Sequence, residues 1–296
     1  MKTSTFKGLG VAMVTPFNAD GSIDYAGLEK LTRFLIDSEK VDYLVVQGTT
    51  GESVVMNKEE KRKVLDRIIE INAGKLPIVL GMGSNNTLEL VDTIKNFNFS
   101  GVDAILSASP YYNKPTQEGI YQHYKTVAEN SPLPIILYNV PGRTSSNVLP
   151  ETTLRLAYDF DNIIAIKEAS GSVEQAMEII QARPENFLVI SGDDGLTLPI
   201  IASGGDGVIS VIGNSFPKEF GSMVHRALEG KIAEARQYHY QLFDMINGIF
   251  KEGNPGGIKE VLSIQGICEN HLRLPLWNVS NDLSSYLKNK MQEKGL

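Results

Sequence analysis

Cysteine is nearly absent from this chain: Cys268 is the only one in 296 residues. A single thiol closes no internal disulfide, and without a CxxC pair there is no thiolate frame for zinc. Ile264 and Ile267 precede it, which predicts a core thiol in an apolar helical setting, and no local charge points to activation. The four histidines, His123, His225, His239 and His271, fall on expected helices or their ends without HxxxH or HxH spacing, so neither a metal nor any other cofactor is expected. No stretch reaches the roughly 18 apolar residues of a membrane span. Met1 to Lys7 lack the apolar run of a secretory leader, so the chain reads as cytoplasmic. A basic excess is missing too. The net charge is −7 and the isoelectric point about 5.3, which argues against a nucleic-acid partner. No GxGxxG turn follows the first apolar run; Gly81-Met82-Gly83 is a fragment of such a motif and reads as a strand-end turn.

What the chain does have is a rhythm. Eight apolar runs, Leu9–Thr15, Tyr43–Gln47, Pro77–Gly81, Ala104–Ser107, Ile135–Tyr138, Ile163–Lys167, Phe187–Ser191 and Gly207–Ser210, are rich in Val and Ile without polar alternation. That is the pattern of parallel strands buried on both faces. Amphipathic stretches lie between them. Leu28, Leu31, Leu35 and Ile36 share a face of the first helix; Val64, Ile68, Ile69 and Ile71 give the second its apolar surface. Asn57 and Glu60 have the spacing of a capping box, and Pro150 suits a first helical turn. Eight β-then-α units predict an α/β fold, a TIM (β/α)8 barrel, over an open doubly wound sheet. Strand signals stop near residue 225. Ala227–Phe250, Pro255–Gly266 and Leu283–Met291 then read as helices, so the expected organisation is a barrel over 1–225 and a helical appendage over 226–296.

In a barrel the chemistry sits where the strands end at their C-terminal side. Polar residues collect there: Gly48-Thr49-Thr50-Gly51-Glu52-Ser53, Pro110-Tyr111-Tyr112-Asn113, Tyr138-Asn139-Val140-Pro141-Gly142-Arg143-Thr144, Ile166-Lys167-Glu168-Ala169-Ser170 and Ser191-Gly192-Asp193-Asp194. Lys167 is the sharpest of these. A lysine removed from water favours its free amine, which attacks ketones; the plainer alternative is a strand-end lysine reaching solvent or paired with Glu168. Thr49 and Thr50 offer hydroxyls and backbone N–H groups to a carboxylate, or simply cap a turn. Tyr138 and Tyr112 could relay protons through a threonine, or only pack. Arg143 could fork onto a carboxylate, or lie in solvent. Asp193-Asp194 reads as helix capping rather than a cation site.

These motifs, in this order over nearly the whole chain and with Gly207-Val208-Ile209-Ser210 and Leu272-Arg273-Leu274-Pro275, resemble the dihydrodipicolinate synthases of the N-acetylneuraminate lyase superfamily. The resemblance implies a class I aldolase of lysine and diaminopimelate biosynthesis. Lys167 would form an imine with pyruvate; its enamine would attack L-aspartate 4-semialdehyde to give 4-hydroxy-tetrahydrodipicolinate. An imine is a better electron sink than a ketone, so this chemistry calls for no metal. Tyr138 would exchange protons, linked through Thr50 to Tyr112, which in the family reaches a neighbouring subunit's site. Thr49 and Thr50 would hold the pyruvate carboxylate and Arg143 that of the semialdehyde, with Gly192 and the Ile209 carbonyl beside them. The resemblance further implies a homotetramer whose minimal active unit is a dimer. Ser53, Asn85, Glu89 and Tyr111 match the family's pocket for inhibitory lysine, but Lys58 and Lys61 stand where sensitive members commonly carry histidines, which predicts weak or absent inhibition. The sibling reading is a sugar-acid aldolase such as N-acetylneuraminate lyase. It keeps the lysine and tyrosine, and Arg143 speaks against it. A pseudoenzyme that kept the fold would not need this intact set.

Overall fold

A computed structural model describes residues 3–296; Met1 and Lys2, part of the leader-free reading, lie outside them. Eight parallel strands close on themselves in sequence order: β1 (Gly8–Ala12), β2 (Tyr43–Val46), β3 (Ile78–Gly81), β4 (Ala104–Ala108), β5 (Ile135–Asn139), β6 (Ile163–Glu168), β7 (Leu188–Ser191) and β8 (Gly207–Ser210), with β8 pairing back to β1. At that seam a Cβ on Gly207, whose φ is +149°, would lie 2.1 Å from the Gly8 carbonyl oxygen, so only glycine lets the two backbones meet.

The strand sequences explain the layers. Leu44 and Val46 pack outward with the helices, while Tyr43 and Val45 join an inner cluster with Val79, Leu106, Ile136 and Ile190. Both faces are covered, so apolar residues fill most positions, and polar ones gather towards the C-terminal ends. Strand β6 breaks this alternation. Ile135 pairs with Ile163 but Ile136 pairs with Ala165, leaving Ile164 as a bulge. Ile163 packs outward, Ile164 and Ala165 both pack inward, and Ile166 returns outward. The extra residue shifts the phase of the rest of the strand. Lys167 therefore points into the barrel and Glu168 out of it.

Twelve helices occur among the described residues: α1 (Tyr25–Asp37), α2 (Lys58–Asn72), α3 (Thr87–Asn96), α4 (Gln117–Asn130), α5 (Pro141–Thr144), α6 (Pro150–Asp159), α7 (Val173–Ala182), α8 (Thr197–Ala202), α9 (Pro217–Leu228), α10 (Ile232–Phe250), α11 (Gly256–Ile264) and α12 (Asn281–Lys294). The Asn57–Glu60 capping box forms in both directions, and Pro150 opens α6. The helix expected over Ala227–Phe250 is two helices. Gly230 turns with φ +76° between α9 and α10, so α9, the last barrel helix, runs across residue 225. Leu242, Met245, Ile258, Val261, Leu283 and Leu287 of the last three helices belong to the same apolar cluster as Leu28, Val46 and Val64. Cys268 is a buried free thiol, as expected, but lies in the bend after α11 rather than in a helix; burial pushes it up to about 11. His271 likewise lies in the loop past α11. None of the described helices is long and apolar enough to cross a membrane.

Candidate active site

Register brings the two central residues together. Tyr138 of β5 pairs with Lys167 of β6, so their side chains share the inner face, and the lysine Nζ lies 4.2 Å from the centre of the Tyr138 ring. Both are buried. No carboxylate lies within ion-pair distance of Nζ among the described residues, which corrects the alternative in which Glu168 neutralises it. Glu168 instead faces the helices. Its Oε2 accepts from Asn139 Nδ2 at 3.0 Å and Gln175 Nε2 at 2.9 Å, and its Oε1 from the Ser170 N–H at 2.6 Å. A buried carboxylate with these donors needs no cation. Gly192, after β7, leaves room for the lysine: a Cβ there would come 3.1 Å from Lys167 Cε and 2.6 Å from Ala169 Cβ. Ile209 lies on the inner face of β8.

Beyond β2 the chain makes a tight 3₁₀ turn at Thr49–Gly51, held by Thr15 Oγ1 donating to the Gly51 carbonyl at 2.7 Å. Thr50 is buried, and its Oγ1 accepts from Asn254 Nδ2 at 3.0 Å; Thr49 is exposed. Arg143 sits in the one-turn α5, exposed and without an ion-pair partner among the described residues. It lines a cavity of ≈350 Å³ with Glu252, Asn254, Leu272 and Trp277. Tyr112 is not brought to the others. It is 87% exposed and its φ is +74°, a strained conformation for a bulky residue. Of the second predicted group, Asn85 donates to the Tyr111 carbonyl at 3.2 Å, while Ser53 is half-buried and Glu89 exposed. Lys61 is half-buried and held below the ordinary lysine range by burial and by Lys58.

Three features were not read from the sequence. Asn254, between α10 and α11, reaches Thr50 across the barrel mouth. Lys259 of α11 is fully buried against Glu52, with Nζ 2.5 Å from Oε1, and it also donates to the His271 carbonyl at 2.8 Å. Burial pulls this lysine down and Glu52 opposes the pull. Asp194, expected as a cap, instead accepts from the N–H groups of Val211 and Ile212 at 3.1 and 2.8 Å, tying the β7 loop to the end of β8; burial raises its carboxyl to about 6. Asp193 does serve the turn into α8, accepting from the Gly195 and Leu196 N–H groups. These contacts join residues remote in sequence, and no local pattern announces them. His123 and His239 are buried on α4 and α10, and His225 contacts Asp42 at 2.7 Å. No group of three or more potential metal ligands occurs among the described residues.

Known proteins match this chain over almost its full length. The sequence pattern of the Dihydrodipicolinate synthetase family matches residues 5–294. A 4-hydroxy-tetrahydrodipicolinate synthase of Flavobacterium psychrophilum is 56% identical over 282 residues, covering 95% of this chain and 96% of the relative. The crystal structure of the dihydrodipicolinate synthase of Thermotoga maritima superposes with a TM-score of 0.95 at 40% identity, covering 98% of this chain and 99% of that one. A lysine-bound synthase of Cyanidioschyzon merolae superposes at 0.94 and 36% identity, over 99% of both chains. With one family pattern spanning the barrel and its C-terminal helices, the chain belongs to the dihydrodipicolinate synthetase family.

Proposed function

We propose that this enzyme is a Schiff-base lyase that condenses pyruvate with L-aspartate 4-semialdehyde to 4-hydroxy-tetrahydrodipicolinate, the step that serves lysine and diaminopimelate synthesis. One observation carries the reading: a buried amine, Lys167 Nζ, stands at the barrel mouth over Tyr138 with no acid to hold it. Lys167 attacks the pyruvate ketone, and loss of water gives the imine. The imine withdraws electrons from the neighbouring methyl group, a proton leaves, and the enamine carbon attacks the aldehyde. The amino group of the semialdehyde then adds at the imine carbon, closing the ring and releasing Lys167. Tyr138, whose ring lies against the amine, carries the protons, relayed through Thr50. Thr49 and Thr50 bind the pyruvate carboxylate. Arg143, unpaired at the cavity rim, takes the carboxylate of the semialdehyde.

Tyr112 extends this to assembly. An exposed aromatic in a strained backbone conformation is held ready for a contact outside its own chain. We read it as completing the proton path of a neighbouring subunit, so that a dimer is the smallest active unit and a homotetramer the full assembly, in the cytoplasm.

The direct test is turnover of pyruvate with L-aspartate 4-semialdehyde, coupled to the following reductase and followed by NADPH loss. Rapid turnover supports the reading. Absence of turnover, with borohydride still trapping pyruvate on Lys167, would keep the imine chemistry and move the acceptor to a sugar or another aldehyde.

A further inference from the structure

We infer that Asn254 is a positioning residue for proton transfer, acting through the Thr50 hydroxyl; the inference rests on the aldolase reading above. Asn254 is buried, and its Nδ2 donates to Thr50 Oγ1 at 3.0 Å across 204 residues of sequence. That is the one hydrogen bond of its side chain among the described residues, and the buried Oδ1 has no partner. An asparagine kept for packing has both ends of its amide satisfied. This one is engaged only with Thr50.

The direction of the bond matters. A hydroxyl carries one hydrogen and two lone pairs. With Asn254 donating, one lone pair of Thr50 is occupied and its own hydrogen must point elsewhere. No protein atom among the described residues receives that hydrogen. Thr50 is therefore left with a free O–H to pass towards Tyr138 or a bound substrate oxygen. Both partners are also pinned by one device. Glu52, two residues after Thr50, is paired with Lys259. Lys259 in turn opens α11 by donating its backbone N–H to the Pro255 carbonyl at 3.0 Å, next to Asn254. A hydroxyl whose donor direction is fixed before substrate arrives costs no reorganisation during reaction.

A double-mutant cycle tests the inference. Asn254→Ala should lower kcat about 10-fold and Thr50→Val about 100-fold, the scale of a positioned proton-transfer group. In the Thr50→Val background, Asn254→Ala should cost less than about twofold, because the group it positions is gone. Asn254→Asp nearly keeps the shape but can only accept, so it draws the Thr50 hydrogen to itself. It should lose at least as much kcat as Asn254→Ala and give the same loss of additivity. Losses that multiply independently, or an Asn254→Asp enzyme more active than Asn254→Ala, would overturn the inference. Wild-type turnover in the same assay separates the two layers: without it the aldolase reading fails, and with it an additive cycle removes only the role of Asn254.

Discussion

Two lysines are buried among the described residues, and their surroundings are opposite. Lys259, at the contact between the C-terminal helices and the barrel, has Glu52 at 2.5 Å, the His271 carbonyl at 2.8 Å and the Phe17 ring centre at 4.3 Å. Lys167, at the barrel mouth, has the Tyr138 ring centre at 4.2 Å and no acid. Burial and an aromatic face are common to both, so neither marks a reactive amine. In the proposed reading, the missing carboxylate is what sets Lys167 apart. A buried cation with a matched anion is held in place, and its partner would be stranded without it. Lys167 has no such anion, so under the proposed reading nothing holds its amine away from the substrate ketone.

The largest effects should separate the two. Lys167→Ala should lower kcat on the order of 10⁴- to 10⁶-fold, as loss of a covalent nucleophile does. Borohydride trapping of pyruvate should vanish while thermal unfolding stays near wild type. Trapping that persists on another lysine would refute the assignment. Lys259→Met should do the reverse and destabilise by about 3–5 kcal/mol in urea unfolding, because Glu52 stays buried without its cation. Adding Glu52→Gln should recover much of that loss. If Lys259→Met unfolds like wild type, the contrast between the two lysines collapses.

This contrast also marks what the sequence could tell. The eight apolar runs were legible because strands buried on two faces leave no room for polar residues, and the polar residues after each run located the mouth. Lys167 was visible as the residue ending its run. Its inward direction was not, since it depends on the bulge at Ile164, and plain alternation from the outward Ile163 would have turned it towards the helices. Asn254 and Lys259 reach Thr50 and Glu52 over 204 and 207 residues, a distance at which no spacing rule operates. Asp194 looked like a cap because capping is the usual use of an acid after a strand, and its true partners lie at the end of β8. The Gly230 turn is hard to read from sequence because apolar residues continue from α9 into α10 on either side of it.

Asp194 offers a smaller test of the same idea, an anion buried without a cation. Two N–H groups hold its Oδ2, and its Oδ1 has no partner. Its folded-state value, about 6 against an ordinary 3.8, is raised. The folded protein thus binds the proton more tightly than the unfolded chain does. The stabilisation is fully present below about pH 4 and is lost as pH rises through 6, a change of about 3 kcal/mol. Asp194→Asn should remove it. In urea unfolding, the variant's stability minus that of wild type should rise between pH 4 and pH 7, and a flat difference would show that the carboxyl is already solvated. His123 titrates in the opposite sense over part of this range, because burial lowers it to about 4. It is common to both proteins and drops out of the difference.

The smallest effect concerns a third lysine. Lys61 is half-buried, and the charge that acts on it most is another cation, Lys58. By the family resemblance both would line the same pocket as Asn85 and Tyr111. A cationic amino acid entering here would meet two like charges in a partly desolvated place, and no fixed acid among the described residues pairs with Lys61 to offset them. Millimolar free L-lysine should therefore slow turnover by less than about twofold, since repulsion of this kind works against binding. Replacing both cations, with Lys58→Ser and Lys61→Ser together, should make the enzyme more sensitive to lysine while leaving its uninhibited rate unchanged. Strong inhibition of the wild type would mean that Lys58 and Lys61 do not keep a cationic ligand out, and the contrast between the two buried lysines would then not extend to a third.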